Sequence, residues 1–209
     1  MVIKTKAELV KPVENKHRVE IKPIEVKTVT INITGDTPLL MEKMSEKVRE
    51  QLKNLVTGKG KEKNKTRVLE DEVKEKIHMD EDGNIGFPAS GFKKAMVEVA
   101  PYLDGMDKKK AKGSFFIIGD LRGDLVSIKH KKQVTNKAVG RDSGINRAPR
   151  EIWRPEFQDW SCKLFLRYNA SQITLNQIIE LAKLAGFHIG VGSWTPQHSG
   201  SYGMFRVVA

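Results

Sequence analysis

The chain has 209 residues, the size of one large domain, and 39% of them are hydrophobic, enough apolar material to bury a core. Its 37 lysines and arginines outnumber 26 aspartates and glutamates, a net charge of +11 that fits a protein meeting a polyanion or a lysine-rich surface that serves only solubility. A single cysteine, Cys162, excludes an internal disulfide and a CxxC metal site; no apolar run approaches the roughly 20 residues of a membrane span, so the cytoplasm is the expected compartment.

Residues 1–24 alternate charge with Val, Ile and Pro and read as an extended arm ahead of a core spanning 25–209. Val26, Val29, Ile31 and Ile33 give the first strand signal. Thr34-Gly35-Asp36-Thr37-Pro38 ends it, with Asp36 or Thr37 placed to cap a helix carrying Leu40, Met41, Met44, Val48, Leu52 and Leu55 at helical spacing. Lys59, Lys61, Lys63, Lys65 and Arg67 then sit in a loop without an apolar anchor. Asp82-Gly83-Asn84 marks a turn between short strands near Ile77 and Ile85. Ser90 is the expected cap of a helix whose stripe is Phe92, Ala95, Met96 and Val99.

Phe115, Phe116, Ile117 and Ile118 form an apolar run that reads as a buried strand, and Leu125, Val126 and Ile128 form another. Residues 133–156 are polar, basic and poor in periodicity. Trp160, Cys162, Leu164, Leu166 and Tyr168 alternate as one clear strand. Thr174 and Gln177 make a capping box for a helix that Gly186 is expected to end, and a last strand runs over 204–208. The order is strand, helix, strand, twice over. It predicts an α+β domain: a ferredoxin-like or RNA-recognition-motif-like core with long insertions at about 34–87 and 129–156.

The second insertion is the strongest candidate for function. Between 129 and 154 it carries Lys129, Lys131, Lys132, Lys137, Arg141, Arg147, Arg150 and Arg154, opposed only by Asp142 and Glu151. Arginine grips phosphate through a two-pronged fork and lysine adds a point charge. Gly140, Gly144 and Pro149 would let the backbone approach a strand, and Trp153 could stack on a base. A second glycine-rich stretch runs over 190–203 before the last strand, fit either to present amides or to make tight turns. Neither GxGxxG nor GxxxxGK[ST] occurs, and no cofactor is expected.

The run Gly86-Phe87-Pro88-Ala89-Ser90-Gly91-Phe92-Lys93-Lys94-Ala95 resembles the helix opening of the backbone subunits of CRISPR effector complexes, members of the repeat-associated mysterious protein (RAMP) superfamily. Gly200-Ser201-Tyr202-Gly203-Met204-Phe205-Arg206-Val207 is similar to that superfamily's glycine-rich segment before a final strand, and residues 37–41 are similar to the start of short phage-encoded relatives. The resemblance implies a modified RNA-recognition-motif fold, a thumb-like insertion and head-to-tail assembly along a nucleic-acid strand. It also implies that Ser90, Lys93 and Lys94 sit at a helix start facing that strand. The aromatic pair by which RNA-recognition motifs stack bases is not evident in the sequence.

These readings converge on a non-catalytic, sequence-independent binder of single-stranded RNA or DNA that forms homo-oligomers along the strand. The alternatives are a RAMP-type endoribonuclease, with Asp36 and His130 as its candidate residues, and an assembly protein that holds no nucleic acid. The five histidines show neither HxH nor HxxxH spacing, so no metal site is expected.

Overall fold

The computed structural model describes residues 23–58, 68–141 and 149–208. Its strands in chain order are β1 (Val26–Gly35), β2 (Leu39–Leu40), β3 (Gly86–Pro88), β4 (Phe115–Ile118), β5 (Leu125–Ser127), β6 (Lys132–Arg141), β7 (Pro149–Gln158), β8 (Ser161–Asn169) and β9 (Phe205–Val208). Its helices are α1 (Glu46–Val56), α2 (Leu69–Glu75), α3 (Ala89–Glu98), α4 (Lys108–Ser114) and α5 (Leu175–His188). Most of the expected arm at 1–24, the lysine loop at 59–67 and Arg147 lie outside the described residues.

Successive side chains on a strand point to opposite faces, and that alternation builds the core sheet. Ile31 and Ile33 of β1, Phe115 and Ile117 of β4, and Cys162, Leu164, Leu166 and Tyr168 of β8 are all buried on one face. The sheet runs β4-β8-β1-β9 with every neighbour antiparallel. Helices α3 and α5 pack against each other and cover the buried face, with the Phe92 ring of α3 5.9 Å from that of Phe205 in β9. This is the expected ferredoxin-like core: α3 lies between β1 and β4 in sequence, and α5 between β8 and β9. The Thr174–Gln177 capping box starts α5 as the sequence predicts.

Four local expectations give way. The first is the helix beginning at Pro38. Leu39, Leu40 and Met41 are all fully buried, which consecutive positions on a one-sided helix do not achieve, and the chain is extended as β2; α1 starts only at Glu46. The polar groups expected to cap it are engaged elsewhere: Thr37 Oγ1 accepts from the Met204 amide at 3.0 Å, and Asp36 pairs with Arg206.

The second is Ser90, which does not cap α3; the helix starts one residue earlier, behind Pro88. The third is Gly186, which lies inside α5 rather than ending it; Gly190, with φ +71°, follows the C-cap instead. Gly186 is there because a Cβ would collide with the Phe205 carbonyl, so its absence lets α5 lie directly on β9. The fourth is the run 115–118, which is buried on one side only: Phe116 stays 52% exposed and Ile118 47%.

The polar segment at 129–156 contains most of a long β-hairpin. β6 and β7 pair in register from Lys132↔Gln158 to Arg141↔Pro149, and β2 adds to β7 to give the order β2-β7-β6. The insertion at 34–87 holds β2, α1 and α2.

Gly186→Ala tests the close helix–strand approach. Alanine in a helix interior normally stabilises, yet here overpacking should cost about 1–3 kcal/mol. Urea unfolding would register this as a lower midpoint; an unchanged or raised midpoint would contradict the contact.

Candidate nucleic-acid interface

The end of the sheet where β1 leaves and β8 and β9 enter gathers the elements that carry charge. Phe205 of β9 pairs with Gly35, the last residue of β1, and packs on Phe92 in the first turn of α3. The start of α3 is therefore held at that same end. Pro88, its N-cap, lines a cleft of about 330 Å³ together with Lys43, Arg49, His78, Asp80, Glu81 and Arg122. Glu81 pairs with Arg122 at 2.7 Å, and Arg49 reaches Glu46 at 3.4 Å. Burial, reinforced by the charges of Lys43 and Arg49, holds the His78 imidazole below its usual range, so it is neutral at pH 7.

The middle of the hairpin, which packs on α2, adds further basic side chains. The Lys76 ammonium donates to the Trp153 carbonyl at 2.7 Å, and the Lys137 ammonium lies 4.1 Å from the centre of the Trp153 ring. On the opposite face of β7, Arg154 is buried and donates through Nε to Glu42 at 2.9 Å, with its guanidinium 4.8 Å from the Trp194 ring centre. Ser193 donates to the same Glu42 oxygen at 2.9 Å. Asn136 donates to Glu156 and lies 3.2 Å from the Tyr202 hydroxyl. Burial alone would raise the Glu42 carboxyl, but the hydrogen bonds from Arg154 and Ser193 and the charges of Arg154 and Lys76 outweigh it and hold the group below its usual range. Burial also lowers Lys76, partly offset by Glu42.

The glycine-rich stretch serves this junction through turns. Gly192, at φ +93°, sits against the Leu40 carbonyl, while the Ser193 amide donates to that carbonyl at 3.0 Å. The Val191 amide donates to Gly203 and the Gly203 amide to Pro38, which ties the stretch to the β1–β2 connection.

The anticipated residues fall into three groups. Lys132, Lys137, Arg141, Arg150, Trp153 and Arg154 stand on the hairpin. Lys137 and Trp153 are opposite neighbours on one face, and Lys132, Arg150 and Arg154 belong to the other. Lys132 and Lys137 are exposed, whereas the charge of Arg154 is engaged by Glu42. Lys129 and Lys131 lie just before the hairpin, the latter 3.7 Å from Asp159. Ser90, Lys93 and Lys94 are on the first turns of α3; Ser90 and Lys94 are exposed, and the Lys93 ammonium lies 3.9 Å from the centre of the Phe116 ring.

Of the two residues considered for cleavage, Asp36 is paired with Arg206, and His130 packs edge-on against Phe157 at 5.0 Å. Sequence reading missed Lys76, His78 and Arg122 as site residues. No spacing links them to each other or to Lys43; only the fold brings Lys76 to the hairpin, and His78 and Arg122 to the cleft with Lys43. Among the described residues, no group of His, Cys, Asp and Glu could hold a metal ion, and no helix is long and apolar enough to cross a membrane.

The fold defines the class: a ferredoxin-like core, an antiparallel four-stranded sheet covered on one face by two helices, similar in fold to a chain of a type III CRISPR complex. A chain of the type III-B Cmr-beta complex bound to cognate target RNA aligns with a TM-score of 0.50 at 16% identity, covering 88% of this chain. This chain spans 59% of the length of that one. Cmr6 from Pyrococcus furiosus aligns with a TM-score of 0.44 at 12% identity, over 89% of this chain and 100% of its own. No protein-family profile and no curated protein matches the sequence.

Glu42→Gln should destabilise the fold by about 1–3 kcal/mol, because it leaves the buried Arg154 charge without its anion. The folded carboxyl titrates below its ordinary 4.5, so its contribution is present above that pH and disappears as the pH falls through the folded value. Thermal melts of both proteins at descending pH should therefore converge in acid; a constant gap would contradict the pairing.

Proposed function

We propose that the chain is a single-stranded RNA-binding subunit that holds its strand along the basic end of the core, between the start of α3 and the β6–β7 hairpin. The observation that carries the reading is the exposed Lys137 over the Trp153 ring, next to the half-buried Lys76 and a cleft lined by Lys43 and by Arg49 and Arg122, which pair with Glu46 and Glu81. A cation beside an indole is what a sugar–phosphate chain with stackable bases requires. The Cmr-beta complex that shares the fold is described with target RNA bound, which favours RNA over DNA.

Binding is without sequence preference, since lysine contacts to phosphate position a strand but read no base edge. Assembly is head-to-tail along the strand. Each hairpin strand has ten residues, about 30 Å of reach at the usual rise per residue, long enough to touch a neighbour on the same RNA.

Fluorescence anisotropy with a 20-nucleotide RNA tests the site. Binding should be tighter to the single strand than to a duplex, and log affinity should fall with log salt by about 0.7 per phosphate contacted. Lys76→Ala with Lys137→Ala should weaken binding across all sequences and make that slope shallower. Trp153→Ala should lose about 1–3 kcal/mol of binding if the ring stacks on a base. Equal affinity for duplex and single strand, or unchanged affinity in the lysine variant, would move the strand off this surface.

Assembly has its own measurement. In mass photometry, complexes formed on RNAs of 20 and 60 nucleotides should grow with strand length. One protein per RNA at saturation on both lengths would refute head-to-tail packing.

A further inference from the structure

The core sheet has a second face, opposite α3 and α5. Its outward positions are Val26, Thr28, Thr30, Asn32 and Thr34 on β1, Phe116 and Ile118 on β4, Ser161, Lys163, Phe165, Arg167 and Asn169 on β8, and Arg206 and Val208 on β9. Phe116 is 52% exposed, Ile118 47% and Phe165 38%. Phe116 pairs with Arg167, and Phe165 with Ile118, so the two residues are diagonal neighbours on adjacent strands, positions about 7–8 Å apart in an antiparallel pair. On β1, the residues beside Phe165 and Arg167 are Thr30 and Thr28, too short to lie over a ring.

The charge around these rings has one sign. Lys163, Arg167 and Arg206 stand on the face, and Lys93 reaches the Phe116 ring around the β4 edge. No outward position of the four strands carries an acidic side chain. Asp36 neutralises Arg206, but among the described residues neither Lys163 nor Arg167 stands in an ion pair. Exposed apolar surface of this kind marks a contact site, and a ring of unneutralised cations selects a polyanion as its occupant.

We propose that this open face is a second RNA-contact surface, on which Phe116 and Phe165 stack two bases while Lys93, Lys163 and Arg167 hold the adjoining phosphates. The proposal rests on the reading of the chain as an RNA binder, and adds a surface away from the hairpin. Aromatic rings accept any base, so this contact shares the lack of sequence preference of the basic end.

Two measurements on the full chain test it. Irradiating the wild-type protein with a uridine 20-mer at 254 nm and mapping the crosslinked peptides should place uridine on the peptides holding Phe116 and Phe165. The Phe116→Ala, Phe165→Ala double variant should bind the 20-mer about tenfold more weakly or worse, with its thermal midpoint kept, because both rings are already solvent-exposed. Should that variant misfold, Lys163→Ala with Arg167→Ala addresses the same face, and the crosslinking needs no variant.

The hairpin variant Lys76→Ala, Lys137→Ala in the same assay separates the two surfaces. If it loses affinity while the face variants bind normally and no crosslink falls on β4 or β8, the open-face proposal is overturned and the basic end stands. If the face variants lose affinity and the hairpin variant does not, the open face stands and the basic end falls. A wild-type protein that binds no RNA overturns both. A face variant that keeps its RNA affinity but changes oligomeric state assigns the face to a second copy of the chain and overturns the proposal.

Discussion

Trp160 is wholly buried where β1 ends and β8 begins, and the rest of the arrangement depends on how it is held. Its indole donates to the Thr37 carbonyl at 2.8 Å, while the Gly35 amide donates to the Trp160 carbonyl at 2.8 Å. Gly35 has no room for a Cβ against the indole ring, so the strand end closes directly over it. Thr37 in turn binds the Met204 amide just before β9. One side chain thus ties the exit of β1 to the entries of β8 and β9. A buried tryptophan combines a large apolar area with one donor that must be satisfied, which is why a single ring can fix three strand ends at once. The hairpin descends from this point through Gln158, and the glycine-rich stretch is anchored to it through Gly203 and Pro38.

The second layer is electrostatic. Arg154 is buried, and a buried guanidinium is tolerated only with a partner. Glu42 supplies that partner from the β2–α1 connection, and the Trp194 ring lies beside the guanidinium. Three segments remote in sequence, near 42, 154 and 194, are locked together by one ion pair. Arg154 therefore does structural work inside a segment whose charge, counted along the sequence, looks wholly available for binding. Lys76 bridges from α2 to the Trp153 carbonyl and extends the junction toward the cleft.

How far the sequence could be read follows from what each element buries. The alternation from Cys162 to Tyr168 and the Thr174–Gln177 box are local patterns with local causes, and both appear in the structure. The β6–β7 hairpin has no such pattern. Neither of its faces is uniformly apolar, and contacts such as Asn136–Glu156 and Lys137–Trp153 leave no period in hydrophobicity. The run 115–118 misleads in the opposite sense. Four consecutive apolar residues read as doubly buried, but an edge strand of an open sheet is covered on one face only. The cleft was illegible for a different reason: Lys43, His78 and Arg122 are far apart in sequence and meet only in the folded chain.

Charge chemistry also separates structural from available cations. On the hairpin, the buried guanidinium of Arg154 has a directed contact to Glu42, whereas the exposed Lys132 and Lys137 carry compact ammonium groups on flexible stems. An arginine fork suits a fixed, geometrically demanding partner inside the fold. Lysines suit a phosphate chain whose position shifts by an ångström or two from one nucleotide to the next, because a point charge tolerates that displacement and a two-pronged contact does not. The Trp153 ring beside Lys137 has the same tolerance, since every base offers a flat face. Along one pair of strands the buried Arg154 is thus fixed on Glu42, while Lys132 and Lys137 keep their ammonium groups at the surface, Lys137 over the Trp153 ring.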